Sequence, residues 1–163
     1  MPIEHATAQT EMQSLDYFKL NAILNVHQAF LEGKAHAVPA DFRACSFFGA
    51  QLGEIDLRKS NFSQSDFKRA NFSGSDLSGV DCSGANFKRS IFEKANLENI
   101  NLRSAGLIGC NFTRSNLKGA DLTGAIITDA DFSLAIFDER TKWPVQFDAS
   151  QFELIFHNDS LTA

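Results

Sequence analysis

The 163-residue chain is poor in the side chains on which most enzymes and metal sites depend. Its three cysteines, Cys45, Cys82 and Cys110, share no paired spacing, which argues against a disulfide framework or a zinc site. The four histidines, His5, His27, His36 and His157, lie toward the two ends with no short spacing between them, so neither a metal site nor a His-activated nucleophile is indicated. No stretch approaches the roughly twenty apolar residues of a membrane span. The N-terminus also lacks a basic region followed by an apolar run, so a cytoplasmic location is expected. Glycine recurs, but never in the strand–loop–helix setting that cradles a phosphate. One Tyr and one Trp stand beside sixteen Phe, so the aromatic excess is filler of one particular shape. No catalytic residue, cofactor or metal is expected.

What the chain does have is a period. Twenty consecutive five-residue words run from Ala40 to Glu139, and the third residue of every word is apolar. These centres are Phe42, Phe47, Leu52, Leu57, Phe62, Phe67, Phe72, Leu77, Cys82, Phe87, Phe92, Leu97, Leu102, Leu107, Phe112, Leu117, Leu122, Ile127, Phe132 and Phe137. The first residue of each word is small almost throughout, with Ile55, Val80 and Ile100 bulkier. A helix advances about 100° per residue, so apolar centres five apart would spread around its whole circumference. A continuous strand alternates faces, so an odd spacing would send successive centres to opposite sides. The inward positions instead recur at intervals of two and three, which describes a chain that extends briefly, bends at the outward pair, and repeats. Such a chain winds into a solenoid, each unit burying its apolar side only against its neighbours.

The words Ala70-Asn71-Phe72-Ser73-Gly74, Ala85-Asn86-Phe87-Lys88-Arg89, Ala95-Asn96-Leu97-Glu98-Asn99 and Ala120-Asp121-Leu122-Thr123-Gly124 resemble the A(D/N)LXX motif of pentapeptide repeat proteins, a family abundant in bacteria and particularly in cyanobacteria. The resemblance implies an all-β solenoid, a right-handed quadrilateral β-helix of about five coils with four words per coil. Residues twenty apart would then stack, and here Leu57, Leu77, Leu97 and Leu117 are identical, as are Phe72, Phe92, Phe112 and Phe132. Volumes compensate as well, since the undersized centre Cys82 shares its word with the bulky Val80. All three thiols are expected buried, apart and reduced. Asp and Asn dominate the position before the centre, where short polar side chains bond nearby backbone groups and support turns.

The expected organisation is a helical cap and connector over residues 1–39, the repeat over 40–139, and a C-terminal cap or tail over 140–163. An open β-helix exposes apolar interior and unpaired edges at both ends, which invites aggregation unless each end is covered. From Thr10 to Gly33 the residues Met12, Leu15, Phe18, Ala22, Val26, Ala29 and Phe30 keep helical spacing, with Thr10 as an N-cap and Gly33 as a stop. This is expected to be an N-terminal capping α-helix. A second stripe, Leu20, Ile23, Leu24 and Leu31, either seats the helix deeply or keeps a surface for a partner. With only Lys19 and Lys34 as nearby cations, the helix is not expected at a membrane surface. At the far end Phe147, Phe152, Leu154 and Phe156 are placed to plug the last coil, and the alternation of the last three leaves an added strand or a homodimer contact as alternatives.

Charge divides the chain. Residues 1–119 hold 12 acidic against 13 basic side chains, and residues 120–163 hold 8 against 2. Some members of the resembled family inhibit DNA gyrase by imitating DNA, which requires negative charge along the rod; four nearly neutral coils disfavour that alternative. With four words per coil, the words centred on Phe47, Phe67, Phe87, Leu107 and Ile127 form one face. Outward on it stand Phe48, Lys68, Arg69, Lys88, Arg89, Ile108 and Ile126. Lys68 stacks on Lys88 and Arg69 on Arg89, an arrangement that like-charge repulsion disfavours and that Asp66 and Asp129 relieve only in part. This face is the candidate site for an acidic protein partner; an acidic overall charge and a single exposed aromatic, Phe48, argue against nucleic acid. The function expected is non-catalytic interaction or scaffolding, with the gyrase mimic as the alternative.

Overall fold

The computed structural model describes residues 3–157, with side chains from Tyr17 onward. The chain divides into two compact units after Ala40. The first contains α1, Ile3–Leu31. It begins ahead of Thr10, which therefore lies inside the helix and caps nothing, and the Met12 and Leu15 positions fall outside the described side chains. Its end follows the expected stop. Gly33 takes φ +73°, Lys34 N–H donates to the Ala29 carbonyl at 3.0 Å, and Gly33 N–H to that of Phe30 at 2.9 Å. This is the left-handed C-terminal motif that only glycine enters without strain. Of the first apolar stripe Phe18, Ala22 and Val26 are exposed and Ala29 and Phe30 half-buried, whereas in the second Leu20 is buried and Ile23, Leu24 and Leu31 are half-buried; His27 is buried as well. The His27 Nδ1 accepts the Ala40 N–H at 3.1 Å, which fixes the end of the connector against the helix.

The second unit is a four-sided parallel β-helix. Parallel bridges join Asp41 to Asn61, Ser46 to Asp66, Gln51 to Asn71 and Asp56 to Asp76, and the same step of twenty residues continues to Asn116 and Ile136. Each word contributes its second residue to a ladder, so four words complete one coil. The fifth residue of the words from Ala44 to Leu134 is in the left-handed region, as at Glu54 (φ 58°), Arg69 (φ 58°) and Gly74 (φ 66°), and the next N–H returns to the preceding centre, as from Cys45 to the Phe42 carbonyl at 3.0 Å. A positive φ at the third residue with that closing bond is the pattern of a type II turn. The Asp or Asn before the centre reinforces it, its Oδ1 accepting the N–H two residues on, as in Asn61 to Ser63 at 2.9 Å and Asp81 to Ser83 at 3.0 Å. Amides also bridge coils, Asn101 donating to Asp81 at 2.9 Å and Asn116 to Asn96 at 3.1 Å.

The interior follows from the columns. Phe72, Phe92, Phe112 and Phe132 stack with ring centroids 4.9 Å apart and planes within 3° of parallel. That spacing is the separation of neighbouring strands, so the backbone step sets the ring step. Leu57, Leu77, Leu97 and Leu117 are all fully buried, as are Cys82 and, within 1%, its compensating neighbours Val80 and Ile100. Each such column residue contributes roughly 1.5–3 kcal/mol of burial before entropy is subtracted. Cys45 departs from expectation: it is half-buried, because it stands in the first coil with no preceding coil in its column. All three thiols are free.

At the far end, Phe132 receives the edges of Trp143, Phe147 and Phe152 at 5.2–5.7 Å, and Trp143 stacks on Phe147 at 3.8 Å. The strand β1, Ile136–Phe137, pairs in parallel with β2, Ile155–Phe156, which remains exposed on its outer side. Between them Asp138 is buried and saturated, accepting from Gly119 N–H at 2.8 Å and from Arg140 at 2.6 Å.

Candidate functional site

The twenty-residue register assembles the candidate face as four words per coil implied. Its bridge residues are Ser46, Asp66, Asn86, Gly106 and Ile126, one per coil. The outward side chains of each word then stand one coil step, 4.9 Å, from those of the next. Arg69 N–H donates to the Lys88 carbonyl at 3.0 Å and Arg89 N–H to that of Ile108 at 2.8 Å, so the backbones that carry the cations are locked together.

The cations differ in their surroundings. Lys68 pairs with Asp66 at 2.9 Å, and the Arg69 guanidinium lies 5.7 Å from the centre of the Phe48 ring, within cation–π range. Lys88 and Arg89 are exposed and form no ion pair among the described residues. The apolar flanks are uneven: Phe48 is 65% and Ile126 51% exposed, whereas Ile108 is half-buried. All seven predicted residues therefore share one face, with unneutralised charge concentrated in the third coil. Asp66 neutralises Lys68 and leaves Arg69 without a carboxylate partner among the described residues, and the next word of the face carries no acidic residue at all.

Two features lay beyond the sequence reading. Coil four presents Gly106 and Gly109 on either side of Ile108, so Ile108 is the one side chain of size that this coil itself contributes to the face, and the Arg89 stem passes beside Gly109. A second is an open cleft of about 460 Å³ at the far end of the unit, lined by Asp129, Asp131, Asp148, Phe147 and Phe152 among others. Ser133 holds the Asp131 carboxyl below its ordinary range, and Ser150 does the same for Asp148. Asp129 is exposed, with no ion pair among the described residues. The segment after the repeat supplies Phe147, Asp148 and Phe152, so the period could not have announced this cleft. Among the described residues no group of His, Cys, Asp or Glu is arranged to hold a metal ion, and no helix is long and apolar enough to cross a membrane. What the face offers chemically is charge, a flat apolar strip and a rigid repeat.

Comparison with known proteins places these observations. The family model described as Pentapeptide repeats matches in eight copies, over residues 35–64, 45–81, 65–103, 81–119 and 100–138. The crystal structure of the pentapeptide repeat protein Rfr23 from the cyanobacterium Cyanothece 51142 is similar at 28% identity, with 67% of each chain covered and a TM-score of 0.52. HetL, a pentapeptide repeat protein involved in heterocyst differentiation regulation in Nostoc sp. strain PCC 7120, matches at 24% identity over 71% of this chain and 52% of its own, with a TM-score of 0.34. Full-length QnrB1, a plasmid-mediated fluoroquinolone resistance protein, matches at 14% identity over 77% and 81%, with a TM-score of 0.35. No curated protein matches the chain.

Proposed function

The chain belongs to the pentapeptide repeat family and forms its right-handed quadrilateral β-helix, and on that premise we propose that it is a non-catalytic interaction protein whose basic face receives an acidic segment of a protein partner. The observation that carries this is the pair of coil-spaced cation rows, Lys68 with Lys88 and Arg69 with Arg89, of which Lys68 alone has a carboxylate partner among the described residues. Like charges one strand apart cost fractions of a kcal/mol. A ligand carboxylate between them would remove that cost and gain charge-assisted hydrogen bonds. The rigid ladder holds the cations in place, so little ordering entropy is lost on binding. Phe48, Ile108 and Ile126 add apolar area at the margins.

The test is recovery of partners from the source organism with the wild-type chain and with Lys68, Arg69, Lys88 and Arg89 all changed to Glu. The reversed chain should keep its circular dichroism and lose the partner; unchanged recovery would remove the idea. A gyrase supercoiling assay separates the alternative, since a DNA mimic inhibits and an interaction module of this kind does not. The acidity of this chain is gathered in its last coil and tail, which gives a mimic no continuous negative face.

A further inference from the structure

Along the stack the basic face changes character in order: Phe48 in coil one, Lys68 and Arg69 in coil two, Lys88 and Arg89 in coil three, Ile108 between two glycines in coil four, and Asp129 in coil five. The acidic cleft with Asp148 follows immediately. This order has a symmetry consequence. Let a second copy be turned by a half-turn about an axis that lies in the face and runs along the coil-four strand. The coils then reverse their order while each residue keeps its place within its word. Coil four meets itself, and coil three of one copy meets coil five of the other. Arg89 and Asp129 occupy the same slot of their words, each four words, one full coil, from coil four's own slot-mate Gly109, on either side of it along the stack. They therefore face each other, and the symmetry makes the contact twice. Lys68 and Arg69 come toward the cleft that holds Asp148.

We propose that a second copy of this chain docks on this face in that antiparallel arrangement, with reciprocal Arg89–Asp129 pairs around an Ile108–Ile108 centre. The proposal rests on the reading of this face as the interaction surface, and it adds a competitor there: the second copy covers the same cations that an acidic partner needs. Three observations favour a copy of the chain over an unrelated occupant. Arg89 and Asp129 both lack an ion pair among the described residues. Both chains advance by the same 4.9 Å step, so one matched pair brings the others into register. Gly106 and Gly109 lie on the axis and add no side chain of their own, so coil four itself projects only Ile108 there, while the stem of Arg89 runs beside Gly109. The interface is isologous and closed, which gives a dimer and not a filament. One strand-wide face of five coils falls below the roughly 800 Å² per partner of a stable complex, so the dimer is weak, concentration-dependent and salt-sensitive.

Sedimentation equilibrium of the full chain across micromolar to millimolar concentration, in low and high salt, tests this. The expected result is a dimer at low salt that weakens as salt rises. Arg89→Asp and Asp129→Arg should each weaken it by about tenfold or more, and the double variant R89D/D129R should recover it, because the swapped charges still face each other. A chain that stays monomeric throughout, a dimer indifferent to both single reversals, or a double variant that fails to recover would each overturn the proposal. The outcome is separable from that of the functional reading. Asp129→Arg removes the dimer while sparing the cations an acidic partner uses, whereas R89D/D129R keeps the dimer and damages partner binding.

Discussion

Removing one oxygen from the core should make this protein more stable. Ser115 is fully buried, and its Oγ is the one buried side-chain polar atom without a hydrogen-bond partner among the described residues. It occupies the small inward slot in a column that runs Ile55, Ser75, Ala95, Ser115 and Ala135, so the coils on either side already carry alanine there. An unpaired buried hydroxyl costs about 1–3 kcal/mol. Replacing it with a hydrogen opens a void of roughly 10 Å³, which at about 24 cal/mol per Å³ returns only a few tenths of a kcal/mol of loss. Ser115→Ala should therefore stabilise the fold by about 1–2 kcal/mol, a rise in melting temperature of roughly 3–6 °C for a unit of this size. Two controls use the same chemistry in other settings. The Ser75 Oγ donates to the Phe72 carbonyl at 2.7 Å, a carbonyl that also receives the Ser75 N–H at 3.1 Å, so Ser75→Ala should cost about 0.5–1 kcal/mol. The Ser90 Oγ donates to the Phe67 carbonyl at 2.8 Å and accepts the Ala70 N–H at 3.1 Å, tying two coils, so Ser90→Ala should cost about 1–2 kcal/mol. Urea unfolding reads all three as shifts of midpoint at unchanged slope. A Ser115→Ala midpoint at or below that of the wild type would refute the argument, and so would three serines that respond alike.

Cys82→Leu should overpack its level and cost about 1–3 kcal/mol, and adding Val80→Ala should recover most of that loss, because the two share a word and divide its volume; denaturant midpoints that fail to couple would count against the shared space. Cys45 should react first with a thiol reagent in the native state. Burial pushes the Cys82 thiol well up, and the Cys110 thiol up to about 12, so both should stay silent until the coils open. Acid should destabilise the fold only below the ordinary carboxylate range. Burial pushes the Asp121 carboxyl up, but Thr123, Arg103 and Lys142 outweigh it and hold it at about 2, and Gly119, Arg140 and Thr141 likewise hold the buried Asp138 below 3.8. Groups with depressed folded values contribute stability above their unfolded value and lose it as pH falls toward the folded one. Stability should thus be level down to about pH 4 and decline from there toward pH 2; an onset of loss above pH 5, followed by circular dichroism, would contradict this.

The legible part of the fold is the part governed by repetition. A residue such as Phe92 or Leu97 meets the same kind of neighbour above and below, so a spacing of twenty is enough to name its contacts. The seven side chains of the candidate face came together for the same reason. Where a residue lacks one of those neighbours, the inference weakens. Cys45 is half-buried because no coil precedes it, and Ile127 is half-buried in the last coil. In α1 three members of the stripe with the better helical spacing, Phe18, Ala22 and Val26, are exposed, since period alone ranks apolar faces without knowing which of them is covered.

By itself the amino-acid order determined that the chain winds into a solenoid and which two positions of each word point inward; four words per coil, and with it the face on which the cations stand, came from the family resemblance and is borne out by the twenty-residue bridges. One short-range rule, repeated twenty times, fixes which side chains turn inward, because every word must bury its centre against its neighbours. The neutralisation of Lys68 but not of Arg89, the cleft beside Asp129, the orphaned Ser115 hydroxyl and the saturated Asp138 were decided only by tertiary structure. Each depends on side-chain directions and on the non-repeating segment after the last coil, where no local rule recurs to reveal which groups meet.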